Sequence, residues 1–522
     1  MSINNLDFDP NELSKKGLDS LNHGHYEEAL TIFEKLNSHF PNNVDLLNLI
    51  GFANLEIKLF EDALKAYTNS LKINPNQIEA LFNRAIVNEK LGYFTDAIVD
   101  YDAVSVINPN NLDVFFNKAA IYEDQGRFEE ALEEINCLLS KEPKNFKALI
   151  NKGNIYESLS MFDKSLELFD EALDIEPNNS DIYINKANLY KKINNFEKAL
   201  ENFNHALNIN NDSYLAKYNL SLLQLYEKKF QLGWLNYEER FNLYPKPKFA
   251  TKIPLLDKFN KIDKILVWGE QGIGDQVFFG SMLDHLRDFP NITVALDQRL
   301  IKIFQNSFQQ LNFISNKVDD KFLEFEKQLS ICSLGKYLMP DFNFLNEQKK
   351  PFLKSNKIKN KTYLTKIKNN NKPICGISWR SLNKKTGHSR SMSLESLLPL
   401  MEMNKYHFLD LQYDETNIEI ENFNKKYNQN VQTINELDKY NDIEGVFSLI
   451  DCCDCILTID NSIAHFSGAL GKKTFLMLPY GVGSIWYWHD DDISIWYPSI
   501  KIFRQQKSND WKSVISQISY CL

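Results

Sequence analysis

A chain of 522 residues is longer than a single hydrophobic core holds, so two or three domains are expected. Its 43% hydrophobic and 25% charged content excludes disorder on a large scale, and a net charge of −10 argues against nucleic acid as the main partner and against a polybasic membrane anchor. No apolar run reaches the roughly eighteen residues of a membrane span and no signal-type segment opens the chain, so a cytoplasmic protein is expected.

Residues 1–10 read as a tail, and from about residue 11 the sequence repeats with a step of 34. Prolines fall at Pro41, Pro75, Pro109, Pro143 and Pro177, and the pairs Ala29-Leu30, Ala63-Leu64, Ala97-Ile98, Ala131-Leu132, Ser165-Leu166 and Ala199-Leu200 keep the same step. An aromatic stands three residues before each pair, from Tyr26 to Phe196. This is the tetratricopeptide pattern, in which each unit is two amphipathic helices. Small residues (Gly51, Ala85, Ala119, Gly153, Ala187) let the helices approach, and the apolar faces are buried only by the next unit.

An array of this kind winds into a superhelix with a concave groove suited to an extended peptide or a partner's helix. One asparagine per repeat falls on the inner helices: Asn48, Asn83, Asn117, Asn151 and Asn185. Two readings stand side by side, a ladder that bonds a peptide backbone, and mere abundance of asparagine in this chain. Residues 213–240 keep the helical period but lose the repeat's consensus, as capping helices do. The array is therefore predicted over 11–243, and residues 244–263, with Pro245, Pro247 and Pro254, read as a linker.

The remainder reads as two α/β lobes, 264–371 and 372–522. A short buried strand at 264–268 runs into Gly269-Glu270-Gln271-Gly272-Ile273-Gly274-Asp275-Gln276 and a helical pattern to about Arg287. Glycines there let the backbone turn and come close to a ligand at the strand's carboxyl end. Read from its position alone, Asp275 caps the helix that follows. Further strands are predicted at 292–296 and 329–333, and the Lys- and Asn-rich stretch 346–372 reads as an unstructured connection.

The second lobe opens with a strand ending in Ser378-Trp379-Arg380, followed by a loop with Lys384, Lys385, His388 and Arg390 and a helix from about Leu394. Cations at a strand's carboxyl end oppose the charge of a diphosphate leaving group, although solvated surface is the ordinary role of any one lysine. A strand at 407–411 leads to Gln412, and a helix is predicted at 443–450. Cys452, Cys453 and Cys455 are too closely spaced for a zinc knuckle, and seven cysteines in all form no evident disulfide framework.

Residues 458–474, TIDNSIAHFSGALGKKT, then read as a strand running into a helix capped by Asn461 and Ser462, with Asp460 at the junction. The unpaired N–H groups of such a helix start suit a phosphate or diphosphate, with His465 one turn in. The ordinary alternative is a turn whose Gly468 and Gly471 serve packing and a helix stop. A strand at 473–478 follows, then Trp486, Trp488, Trp496, Tyr497, Phe503 and Arg504, which suit a core as well as a base or sugar. Asp490, Asp491 and Asp492 read as a solvated acidic loop, and no metal site is expected.

Asp460-Asn461-Ser462-x-x-His465 with Gly468-Ala469-Leu470-Gly471 resembles the nucleotide-sugar signature of the heptosyltransferase-like inverting glycosyltransferases, two-domain enzymes of the GT-B fold. Gly274-Asp275 is similar to that family's Gly-Asp after the first strand, where the Asp is regarded as the catalytic base. Gly233-Trp234, Tyr237-Glu238-Glu239-Arg240, Trp496-Tyr497-Pro498-Ser499 and Phe503-Arg504-Gln505 resemble bacterial proteins that fuse tetratricopeptide repeats to such a domain. Tyr487 departs from it, standing where many relatives have an arginine. The asparagine positions match in kind the ladder of tetratricopeptide-bearing O-GlcNAc transferases.

The resemblance implies an α-solenoid followed by a two-lobe, Rossmann-type GT-B domain acting without a metal or cofactor, with a nucleotide-sugar as co-substrate. It assigns Asp275 and His465 to catalysis and Ser378, Trp379, Arg380, Arg390, Gln412, Asp460, Asn461, Ser462, His465 and Gly471 to the donor. Gln271, Gly272, Gly274 and Gln276 would form the loop near the acceptor, a protein or peptide, with flagellin-type modification in view. The alternatives are a non-catalytic interaction scaffold with a degenerate transferase domain, and a transferase acting on cell-surface glycolipid.

Overall fold

A computed structural model describes residues 9–243, 253–317, 324–339, 350–368, 371–383, 387–481 and 486–522. Residues 244–252 of the predicted linker and the predicted cations Lys384 and Lys385 lie outside the described residues, as does the side chain of His388. Two compact units divide at 178/179, within the predicted array.

The first unit is built of antiparallel helix pairs: α1 (Pro10–Asn22) with α2 (Tyr26–His39), α3 (Val44–Glu56) with α4 (Phe60–Ile73), α5 (Ile78–Leu91) with α6 (Phe94–Ile107), α7 (Asp113–Asp124) with α8 (Phe128–Lys141), and α9 (Phe146–Ser158) with α10 (Phe162–Ile175). In the pairs α1/α2, α3/α4 and α9/α10 an aromatic ring from the second helix sits on a glycine of the first. A Cβ on Gly51 would stand 2.8 Å from the Tyr67 ring, and one on Gly153 would stand 2.6 Å from Phe169. The packed alanines Ala29, Ala63, Ala97 and Ala131 are fully buried beside Phe33, Tyr67, Tyr101 and Ile135. Each such large apolar side chain contributes about 1.5–3 kcal/mol of burial. Asparagines start two of the first helices, Asn43 accepting from the Leu46 N–H at 3.0 Å and Asn145 from Ala148 at 3.1 Å.

The second unit opens with four more helices of the same kind, α11 (Ser180–Lys192), α12 (Phe196–Ile209), α13 (Tyr214–Tyr226) and α14 (Phe230–Tyr237), and a short turn of helix, α15 (Arg240–Leu243). A parallel sheet follows, made of β1 (Ile265–Trp268), β2 (Ile292–Leu296), β3 (Asn312–Ser315) and β4 (Lys327–Ser330) in the order β3-β2-β1-β4. Its helices are α16 (Ile273–Gly280), α17 (Ile301–Ser307) and α18 (Leu334–Leu338). α16 ends at Gly280 and passes into a 3-10 turn to Leu286, where one long helix was predicted. Residues 331–333, predicted as strand, form a 3-10 turn.

A helix occupies part of the stretch predicted as unstructured, α19 (Lys357–Lys366), started by Asn356 and packed on a later helix through Asn360 and Tyr363. The apolar period is weak there, because only one narrow side of α19 is covered.

The second sheet, also parallel, contains β5 (Ile374–Ser378), β6 (His407–Asp410), β7 (Val431–Gln432), β8 (Cys455–Ile459), β9 (Thr474–Leu478) and β10 (Ile500–Arg504). Its order is β10-β9-β8-β5-β6-β7, so the chain runs outward one way from β5 and then the other way from β8. Helices α20 (Gly387–Arg390), α21 (Leu398–Glu402), α22 (Asn417–Tyr427), α23 (Ile443–Asp451), α24 (Ser462–Ala469) and α25 (Trp511–Ser519) complete it. All five residues of β5, of β8 and of β9 are buried, as a parallel sheet covered on both faces requires. Cys375, Cys452, Cys453 and Cys455 are free and lie in this interior.

Candidate functional site

In each sheet the order reverses beside one central strand, and the backbone diverging on either side of a reversal leaves a crevice at the strands' carboxyl ends. In the first sheet this places the loop after β1, residues 269–272, at the crevice with the start of α16. In the second it places Asp460 and Asn461, after β8, beside the end of β5, where Asn461 Nδ2 donates to Ser378 Oγ at 2.8 Å. The starts of α16 and α24 meet there. A Cβ on Gly274 would stand 3.1 Å from the His465 ring and 3.4 Å from Ser462 Cα.

A cavity of about 300 Å³ opens at this junction, lined by Gly272, Gly274 and Asp275 from one side and by Asp460, Asn461, Ser462 and His465 from the other. Arg299, Arg390 and Lys439 bring cations to it, and Ser381, Asn383, Tyr413, Tyr440 and Tyr487 supply further polar groups. Asn461 is the cap of α24, its Oδ1 accepting the Ile463 N–H at 3.0 Å. Ser462 is then the first helical residue rather than a second cap.

The two carboxylates of the cavity have different surroundings. Asp460 is buried, accepts from the Trp488 indole at 2.7 Å, and pairs with Arg390 Nη1 at 2.6 Å. Asp275 accepts the Gly272 N–H at 3.3 Å and its own backbone N–H, and forms no ion pair among the described residues. Burial, reinforced by the neighbouring charge of Asp460, pushes Asp275 up to about 6. A carboxylate tuned in this way is a stronger base that is still ionised at neutral pH. His465 is buried, with Nδ1 3.2 Å from the Tyr497 hydroxyl and its ring stacked on Trp488, and burial lowers it to about 4. It meets the cavity as a neutral imidazole.

Several predicted donor residues support this cavity from beneath instead of lining it. Gln412 Oε1 accepts from Ser378 Oγ at 3.0 Å and from the N–H groups of Trp379 and Arg380 at 3.1 and 3.2 Å, so it ties the end of β5 to the end of β6. Trp379 is fully buried in the core. Arg380 is turned to Asp414, at 2.7 Å, and to Glu419, away from the lining residues. Gly471 holds a left-handed backbone at φ 70° against Pro351, which makes it the turn after α24 and not a donor contact.

The predicted acceptor loop divides similarly. Gly272 and Gly274 line the cavity. Gln276 is buried, its Oε1 accepting the Asp297 N–H at 2.9 Å, and Gln271 reaches Tyr237 Oη at 2.9 Å.

Arg299 and Lys439 were not predicted. Arg299 follows β2 and is held by Asp297, with Nη1 donating to the Tyr440 carbonyl at 3.1 Å. Polar residues directly after a strand were the available signal. Lys439 comes from an irregular segment and bonds the buried Asp410, and no local pattern marked it.

The five array asparagines are all partly buried on the first helices of their pairs. Asn48 donates to Gln77 at 2.7 Å, so that amide is occupied within the array. Asn83 and Asn117 face the Tyr67 and Tyr101 hydroxyls. In the acidic run, Asp491 pairs with Lys228 at 2.7 Å. Among the described residues no helix is long and apolar enough to cross a membrane.

A tetratricopeptide repeat family model matches residues 146–212, and a coatomer epsilon subunit model matches residues 20–103. The N-terminal part thus carries tetratricopeptide repeats. Protein FlbA of Caulobacter vibrioides is 21% identical over 312 residues, 56% of this chain and 52% of that protein, so the chain spans about half the length of the curated relative it matches. Among solved structures, a tetratricopeptide repeat protein from Parabacteroides merdae is 19% identical, covering 45% of this chain and 94% of its own, with a TM-score of 0.42. The MamA protein is 21% identical (33% and 94% covered, TM-score 0.31). YrrB, described as a tetratricopeptide protein with an unusual peptide-binding site, is 20% identical (35% and 95% covered, TM-score 0.29).

Proposed function

We propose that the α/β region is an inverting glycosyltransferase of the GT-B, heptosyltransferase-like kind, moving a sugar from a nucleotide-sugar to an acceptor hydroxyl on a protein or peptide bound by the repeats. The observation that carries this reading is Asp275, held up to about 6, at the mouth of a cavity where two helix starts converge. The Asp275 carboxylate takes the acceptor's proton as its oxygen bonds the anomeric carbon, and the bond from that carbon to the diphosphate breaks with its electron pair leaving on the diphosphate. The α24 start, Arg390, Arg299 and Lys439 meet the charge that builds there. The reading needs no metal, and His465 acts in it as a neutral wall.

One observation favours a second reading, a protein-binding scaffold whose cavity no longer turns over. Each cation of the cavity already has an acidic partner: Arg390 with Asp460, Arg299 with Asp297, and Lys439 with Asp410. A diphosphate must then share those cations with carboxylates.

Calorimetry with ADP, CDP, GDP, UDP and dTDP and their sugar conjugates separates the two. Binding by wild type at micromolar to millimolar concentration, weakened at least tenfold by Lys439→Ala, supports the transferase. If no nucleotide binds at millimolar concentration, the transferase reading fails and the scaffold remains.

A further inference from the structure

The loop that carries Asp275 is held from outside the sheet that produces it. Glu270 and Gln271, directly after β1, are each gripped by a side chain of the last helices before that sheet. Arg240 Nε donates to Glu270 Oε1 at 2.6 Å, and Tyr237 Oη accepts from Gln271 Nε2 at 2.9 Å. Arg240 is 3% exposed and locked in turn. Its Nη1 donates to Glu238 at 2.7 Å and to the Tyr237 carbonyl at 3.0 Å, its Nη2 donates to Ser333 Oγ at 2.7 Å, and its guanidinium lies 4.1 Å from the Phe241 ring centre. A planar fork engaged on all sides leaves Glu270 one position to occupy.

Gln271 shows what that grip maintains. Its φ is 62°, in the left-handed region that disfavours a residue with a side chain, so the bonds around it help hold it there. Besides the Tyr237 bond, the Gln271 carbonyl accepts from Gln276 Nε2 at 3.3 Å, so the turn is fastened from the helical side and from α16. Four residues further on stands Asp275, whose carboxylate faces the cavity through the orientation of this turn.

We propose that Tyr237 and Arg240 are positioning residues for the base: they hold the strained turn at Gln271, and through it Asp275, in the geometry that the cavity requires. The helices that close the repeats are then part of the reaction centre's support and not a passive cap. This inference rests on the transferase reading for its catalytic consequence, while the ordering of the loop stands by itself.

The test uses the full chain with Tyr237→Phe, which keeps the buried ring and removes one hydroxyl, and Arg240→Lys, which keeps the charge and removes the fork. Hydrogen exchange of the amides in 269–276 is read beside that of 459–466. The expected result is exchange at least tenfold faster in the first segment and unchanged in the second, with nucleoside diphosphate affinity within twofold of wild type and kcat at least tenfold lower. Should Arg240→Lys fail to fold, Tyr237→Phe and Gln271→Ala carry the same comparison. Unchanged exchange in 269–276 overturns the proposal, as does a fall in kcat matched by an equal fall in nucleotide affinity. If wild type binds no nucleotide, the transferase reading has failed separately and the exchange result alone decides whether these residues hold the loop.

Discussion

Gly274 and His465 stand in close contact: a Cβ at 274 would lie 3.1 Å from the ring's Cδ2, so a larger residue there requires the ring to give by a few tenths of an ångström. The two residues belong to helices that follow different sheets, so this contact brings the Asp275 turn and the Asp460 turn to one cavity. A branched side chain at 274 acts as a wedge. Gly274→Val is expected to cost about 1–3 kcal/mol of stability and to weaken nucleoside diphosphate binding by more than tenfold, read by thermal unfolding and calorimetry. Retained affinity in a folded variant would show that the two helix starts do not need to meet.

Asp275→Asn keeps the shape and removes the base. In the transferase reading it lowers kcat by about 10²–10⁴-fold and leaves nucleotide affinity within a fewfold of wild type. Because the base works ionised and titrates near 6, kcat/KM for wild type should rise with pH to a plateau above about 7. The stability sign is opposite. The folded state holds the Asp275 proton to higher pH than the unfolded chain does, so this group favours folding at low pH and that contribution is lost as pH rises through about 6. Asp275→Asn should therefore melt no lower than wild type at pH 8.

Acid should loosen the second unit through His489. Its Nδ1 faces the Tyr226 carbonyl at 2.8 Å and its Nε2 accepts from the Trp496 indole at 3.1 Å, so the proton sits on Nδ1 and a second one has no acceptor. Burial lowers this imidazole to about 4, as it does His465. The unfolded chain takes up both protons near 6.5 and the folded chain does not until about 4, so stability falls as pH drops between these values. Chemical denaturation at pH 7.5, 6 and 5 checks this. His489→Gln should show a smaller loss over that range, and an identical slope would count against the assignment.

In the first unit, Gly153 is expected to tolerate no branched replacement, because its Cβ would stand 2.6 Å from the Phe169 ring. Gly153→Val should cost about 1–3 kcal/mol, with the helical circular dichroism signal lost at a lower temperature. Pairing it with Phe169→Ala, which opens the space, should recover part of that loss. No recovery would mean that the ring is not what the side chain strikes.

The repeat register, the strand-to-helix turns at 268–275 and 459–465 and the cap at Asn461 were all legible in the sequence. Each depends on residues within one or two turns of chain: the step of small and aromatic positions, a short apolar run followed by glycines, an asparagine before a helical period. Tertiary structure alone decided which polar side chains meet. Arg380 and Arg390 look equivalent on paper, yet one pairs with Asp414 and Glu419 while the other reaches Asp460 across 70 positions of sequence. Arg299 and Lys439 enter the cavity from segments whose local sequence carries no period, and Arg240 grips Glu270 only because the last helices pack beside the first sheet. Local propensity sets an element's kind and ends. The partner of a long charged side chain is chosen by packing and desolvation between elements far apart in the chain, which no local pattern encodes.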